Sequence, residues 1–322
     1  MISTEKVVVK NKQFLKETLQ GLSMEPKQMY SKYFYDEKGD QIFQQIMNME
    51  EYYLTDAEME IMKYQAAVLA ETIGVDRSGF DLIELGAGDA TKSIHLLQAL
   101  IAKGTDFKYF PIDISEHVIS DLQSSLPAKL PMLNFEGLNG DYFDMLEKAS
   151  RISDRRKVVL FMGANIGNMN LEEAQEFCSR LRLQLSPDDL LIIGFDLKKN
   201  PKKILDAYND QSGITSAFNL NLLSRINREL GADFHLQNFE HYASYNPENG
   251  ACKSYLISLK DQIVNIADEA FEFKKDEYIL MEISQKYSKK QIEDLAHDSG
   301  FQLLRYFTDQ HNYFVDALWK VS

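Results

Sequence analysis

FDLIELGAGDATK (80–92), followed at 111–115 by PIDIS, decides how this chain is read. An apolar run, Phe80 to Leu85, meets a Gly-x-Gly turn at Gly86 and Gly88, and a second apolar run ends in an acid, Asp113. That is the layout of a nucleotide-binding βαβ unit, in which glycines let the backbone turn sharply and approach a ligand. Asp113 follows Gly86 by 27 residues, where a carboxylate can accept both ribose hydroxyls. Position 91 is Thr, so the third glycine of a dinucleotide fingerprint is missing. This favours a pocket for a nucleoside without phosphate, such as S-adenosylmethionine (AdoMet), over a pyrophosphate seat. A Gly-x-Gly also serves as a plain strand-to-helix turn. Here the strand before it and the acid after it favour the nucleoside site.

Outward from this unit, short apolar runs alternate with helical patterns. Strands are expected at 80–85, 107–114, 132–136, 157–163 and 189–197, with helices near 90–102, 116–124, 141–149 and 171–184. Such alternation means an α/β fold, a parallel sheet with helices on both faces. Ligands then bind at the carboxyl ends of the strands. Upstream, 13–30 reads as a helix broken by Pro26, Ile42 to Met49 has helical spacing, and Thr55 or Asp56 is expected to cap the next helix. After 198 the alternation stops. Residues 201–230 read as helical and 234–285 as strands, and Ser288 caps a helix before two closing strands. The expected division is 56–198 with 286–322 as a Rossmann-like domain, and 1–55 with 199–285 as a second, α+β substrate lobe.

Composition narrows the function. The 322 residues are 44% hydrophobic, enough for a full core, and no run of 18 apolar residues suggests a membrane span. The opening MISTEKVVVKNKQ lacks the apolar region of a signal peptide, so a cytoplasmic protein is expected. A net charge of −14 argues against nucleic acid, whose phosphates demand a basic surface. Cys178 and Cys252 make neither a disulfide framework nor a zinc site, and the six histidines lack metal spacing. No metal is expected, and a monomer is.

Four further segments could carry chemistry. GANIGNMN (163–170) follows a buried strand and permits close approach; Asn168 offers donor and acceptor, though an ordinary turn reads the same way. YFYD (33–36) and EYYLT (51–55) bring tyrosines that are either core and rim or holders of an amino acid's ammonium and carboxylate. AYND (207–210) and AFNLNLLSRINRE (217–229) are rich in Asn and Tyr, with Asn219 and Asn221 read as capping or tying loops. In MEIS (281–284), Glu282 and Ser284 share one strand face. An acid beside a hydroxyl there needs water or an N–H-bearing ligand.

Together these segments resemble the histidine Nα-methyltransferase family of ergothioneine biosynthesis, a branch of the AdoMet-dependent Rossmann-like methyltransferases. The matching motifs are YFYDEKGDQIF, EYYLTDAE, IELGAGDATK, PIDIS, Gly140-Asp141, FMGANIGN, GFDLKKNP, AYNDQSGITSAFNLNLLSRINRELGADF, MEISQKY and the closing TD, in family order from about 33 to 309. The resemblance implies a class I methyltransferase sheet and AdoMet as co-substrate. It places the cofactor on Gly86, Lys92, Asp113, Asp141 and Tyr142. It places the amino-acid backbone on Tyr52, Asn168 and Tyr208, and the imidazole on Glu282 and Ser284. Tyr35 falls beside the methyl-accepting amine as the catalytic tyrosine. The implied reaction is N-methylation of a small amino acid, L-histidine, to its trimethylated betaine.

Three positions depart from the family pattern. Asp56 stands where the family has Arg, and Leu280-Met281-Glu282 replaces an Arg-Thr-Glu opening. Cys252-Lys253-Ser254 stands near an Ile-Glu-Met run whose Met packs on the substrate ring. Two other readings therefore stay open: the same chemistry on another aromatic or histidine-derived amino acid, and a non-catalytic AdoMet-binding protein.

Overall fold

A computed structural model of the protein describes residues 12–74 and 79–322. Residues 1–11, most of the segment read above for a leader, lie outside the described residues. The chain divides into two compact units, Met1–Tyr53 with Lys199–Ser284 and Leu54–Lys198 with Gln285–Ser322.

The first described elements, in the first unit, are α1 (Lys12–Leu22), β1 (Lys27–Gln28) and α2 (Glu37–Met47). The helix expected over 13–30 ends at Leu22. Pro26 removes a backbone donor and biases its predecessor to extended backbone. Lys27 and Gln28 instead form a short edge strand. Asp36 caps α2, its carboxylate accepting from the Gly39 N–H at 2.7 Å.

α3 (Tyr53–Ile73) leads into the second unit. It begins before Thr55 and Asp56, so neither is its cap. There the chain forms β2 (Phe80–Leu85), α4 (Ser93–Ala102), β3 (Phe107–Asp113), α5 (Glu116–Lys129) and β4 (Leu138–Asn139). α6 (Tyr142–Ile152), β5 (Arg156–Phe161), α7 (Leu171–Gln184) and β6 (Leu190–Asp196) follow. The strand expected at 132–136 is reduced to one bridge between Tyr109 and Phe135. Gly137 explains the interruption: a Cβ there would lie 2.7 Å from Ile119 Cγ2, so the chain hugs α5 before pairing again at β4.

Back in the first unit come α8 (Pro201–Asp206), α9 (Ile214–Leu230), β7 (Phe239–Tyr245), β8 (Ala251–Ser258), β9 (Gln262–Ile266), β10 (Glu269–Phe273) and β11 (Tyr278–Gln285). The second unit closes with α10 (Lys289–Asp298), whose cap Ser288 forms a reciprocal box with Gln291, then β12 (Phe301–Thr308) and β13 (Phe314–Val321).

The second unit is an α/β Rossmann-like sheet in the order β12-β13-β6-β5-β2-β3-β4. β2 pairs in parallel with β3 on one side and β5 on the other, while β13 runs antiparallel to β6 and β12. Strand order therefore reverses at β2, whose carboxyl end is the switch point where such sheets open a crevice. All six residues of β2 and all seven of β6 are buried. The first unit holds a four-stranded sheet, β1-β11-β8-β7, and a β9–β10 hairpin. Its core gathers Phe218, Leu222 and Ile226 of α9 with Phe14, Phe34, Ile279 and Met281.

Candidate active site

At the carboxyl end of β2 the turn is shaped for close approach. Gly86 has φ +75°, and a Cβ there would lie 2.8 Å from the Tyr142 hydroxyl. Gly88 has φ +52°, and a Cβ on it would meet nothing within 4 Å, so the turn faces open space. Asp113 ends β3 beside it. One carboxylate oxygen accepts from the Gly88 N–H at 3.3 Å and the other from the Ser115 N–H at 2.9 Å. A carboxylate has about four acceptor positions, so two remain for a pair of hydroxyls. Asp141 caps α6 by accepting from the Phe143 N–H at 2.9 Å, and Tyr142 is that helix's first residue. Burial, reinforced by the charges of Asp113 and Asp141, pushes the Tyr142 phenol up to about 12, so it stays a donor at neutral pH.

Beneath this turn lies buried charge. Glu58 of α3 is fully buried and pairs with the Lys92 ammonium. Its other oxygen accepts from the Gly163 N–H at 2.7 Å. Burial alone would lower the Lys92 ammonium; the Glu58 charge outweighs it and holds it above its ordinary range. Asp316 of β13 is fully buried, and burial with the nearby Glu58 charge pushes its carboxyl well above the usual carboxylate range. Burial likewise raises Glu84 to about 7, against hydrogen bonds from Tyr109 and Ser93. Asn168 ends the 3-10 turn Asn165–Asn168 after β5 and is exposed.

In the first unit the tyrosines form a continuous chain. Tyr35 meets Phe43 edge-on at 5.4 Å between centroids, Phe43 meets Tyr52 at 6.4 Å, and Tyr52 meets Tyr208 at 6.2 Å. Phe218 of α9 lies 5.8 Å from both Tyr35 and Phe43. The Tyr208 hydroxyl is 2.7 Å from Ser284 Oγ. Glu282, half-buried, lies two residues earlier on β11. Cys252 and Ser254 are both buried on β8, opposite Tyr245 and Ala243 of β7.

A family model described as a histidine-specific, SAM-dependent methyltransferase matches residues 14–321. The chain belongs to this family. Histidine N-alpha-methyltransferase of Mycolicibacterium smegmatis is 33% identical over 291 residues, covering 90% of this chain and 89% of that one. Ergothioneine biosynthesis protein 1 of Neurospora crassa is 31% identical over 301 residues, 92% of this chain but 33% of that longer protein. A 4-dimethylallyltryptophan N-methyltransferase of Aspergillus fumigatus is 26% identical, covering 89% of this chain and 87% of that one. The protein is thus an AdoMet-dependent N-methyltransferase.

The geometry of the methyltransferase suits that co-substrate. AdoMet carries a sulfonium and a ribose but no phosphate. The turn offers an open glycine cradle, an oriented carboxylate and acidic neighbours. Of the residues expected from sequence, Gly86, Asp113, Asp141 and Tyr142 converge around the turn, with Lys92 tied to Glu58 just below. Tyr35, Tyr52, Tyr208 and Ser284 are linked through rings and one hydroxyl pair. Asn168 belongs to the second unit, unlike the other expected substrate residues. Glu58, Phe43 and Phe218 were missed. Glu58 had left a trace in the sequence: it sits on the buried stripe of α3 with Leu54, Ala57, Ile61 and Met62, where an acid is out of place.

Among the described residues no helix is long and apolar enough to cross a membrane, and no group of three His, Cys, Asp or Glu could hold a metal ion.

Proposed function

We propose that this methyltransferase acts on the α-nitrogen of L-histidine and methylates it three times to the betaine. The reading is carried by the hydroxyl pair of Tyr208 with Ser284, which lies two residues from Glu282 on β11. A hydroxyl pair beside a half-buried carboxylate suits a ring with N–H groups better than a purely apolar ring. The relative named histidine N-alpha-methyltransferase supports the same substrate.

AdoMet supplies a methyl group on positively charged sulfur. We assign the Gly86 turn, Lys92, Asp141 and Tyr142 to holding it, with Asp113 accepting the ribose hydroxyls. Tyr52 and Tyr208 fix the substrate's carboxylate and amine. An α-ammonium has no lone pair, so each transfer requires the nitrogen to lose a proton first. Tyr35 bonds that amine and passes the proton towards water. The nitrogen lone pair forms the new N–C bond as the C–S bond breaks towards sulfur, leaving a neutral thioether. Three cycles release three protons and end at a quaternary nitrogen with none left to lose. The protein's contribution is position and field.

A second reading, another aromatic amino acid, is supported by small residues at Cys252 and Ser254 and by the tryptophan-derived substrate in one relative's name. Methyl transfer to histidine, ring-substituted histidines, tryptophan and tyrosine separates the two. Glu282→Ala should cost about 2 kcal/mol in kcat/KM for histidine and little for phenylalanine, whose ring carries no N–H. Failure to methylate histidine would leave only the enzyme class standing.

A further inference from the structure

Glu58 bonds both turns that flank the cofactor site. One oxygen pairs with Lys92, at the end of the Gly86 turn, and the other accepts from Gly163 N–H, at the head of the Asn165–Asn168 turn. The two turns also meet through Lys92, because a Cβ on Gly163 would lie 3.5 Å from its Nζ. Each turn contains a non-glycine residue in the left-handed region, Ala90 and Ala164, both at φ 55°. Such residues persist only where their surroundings over-determine them. Room for the Glu58 carboxylate is also built in: a Cβ at Gly194 of β6 would lie 2.5 Å from its Oε1. A second carboxyl, Asp316, lies on β13 directly opposite Gly194, with no hydrogen-bond partner on either oxygen among the described residues. One ammonium thus faces two buried carboxyls, and Glu58 is the one that binds it.

We propose that Glu58 is a positioning residue for AdoMet: by spanning Lys92 and Gly163 it fixes both turns at once, so cofactor affinity depends on its length as well as its charge. The inference rests on the reading that the Gly86 turn and Asp113 seat AdoMet. In this role Lys92 acts with Glu58 as one unit.

Titration calorimetry with AdoMet on the full chain tests it. Glu58→Asp keeps the charge but cannot span both partners. It should weaken AdoMet by at least about tenfold, the scale of a small misplacement at a reacting site. Its melting temperature should stay close to that of the wild type, so that the loss is one of affinity and not of general stability. The double variant Glu58→Gln/Lys92→Met removes both charges, so no unpaired ion is left to unfold the protein. It should melt near the wild-type temperature yet bind AdoMet weakly. Wild-type affinity in Glu58→Asp, or in the double variant, overturns the proposal, the latter by reducing Glu58 to a counter-ion. Asp113→Ala separates the underlying reading. If it weakens AdoMet while Glu58→Asp does not, the positioning role alone falls. If it leaves AdoMet affinity unchanged, the seat itself is wrong.

Discussion

The two units of this methyltransferase bury different chemistry. Among the described residues, Glu58, Asp81, Glu84, Lys157, Asp189, Asp196, Lys286, Asp309 and Asp316 are buried in the Rossmann-like unit, and only Asp210 in the other. Asp210 is spent on the backbone, accepting from the Ile214 and Thr215 N–H groups where α9 begins. The first unit instead lines its candidate site with rings and hydroxyls, from Tyr35 to Ser284. The contrast fits the two ligands. A sulfonium nucleoside calls for fixed charge and oriented backbone N–H groups, which are strongest when buried. A zwitterionic amino acid whose nitrogen changes charge through the cycle suits neutral hydroxyls and ring faces, which tolerate both forms.

The sharpest way to break the comparison is Asp113→Ala. Removing the oriented carboxylate should weaken AdoMet by about 3 kcal/mol, roughly a hundredfold in Kd, while leaving histidine recognition intact. Equal losses for both ligands, by calorimetry and steady-state kinetics, would dissolve the division of labour.

Next in size is a pH effect confined to the charged unit. Glu84 is raised by burial to about 7 from an ordinary 4.5. Between those values the folded protein keeps a proton that the unfolded chain has lost. Stability is therefore full below about 4.5, falls as pH rises to about 7 and levels off above. Glu84→Gln, which can still accept from Tyr109, should remove about 2 kcal/mol of the stability difference between pH 5 and pH 8. Urea unfolding at the two pH values measures it. An undiminished difference would mean another group titrates.

The smallest expected effect lies in the other unit. Tyr208→Phe deletes one hydroxyl from the pair with Ser284 and should raise the histidine KM by about 1 kcal/mol, with AdoMet affinity unchanged. A matching loss in AdoMet binding would show the hydroxyl pair serving the wrong ligand.

Much of the fold was legible because its signals are local. Four apolar residues among the six before Gly86, in a chain where short apolar runs alternate with helical patterns, mark a buried parallel strand. Capping is equally local, so Ser288 was readable as a helix start. The misreadings fall where neighbours decide. Residues 27–28 take strand geometry only because β11 lies alongside, and 132–136 loses its ladder because Gly137 presses the chain onto α5. Asn219 and Asn221 look alike in sequence. Yet one donates to Thr215 C=O within its own helix and the other reaches the Asp36 carboxylate 185 residues away.

By itself, the sequence determined the α/β alternation, the glycine turn and the acid at the end of β3, since each depends on side-chain period or backbone freedom over a few residues. It also carried the motifs that mark the family. Only the tertiary structure decided that Glu58, 34 residues from Lys92 and 105 from Gly163, joins both turns, that Phe43 links Tyr35 to Tyr52, and that Tyr208 meets Ser284 across 76 residues. Hydrogen bonds and ring contacts act over a few ångströms, and which residues come that close is set by how whole elements pack.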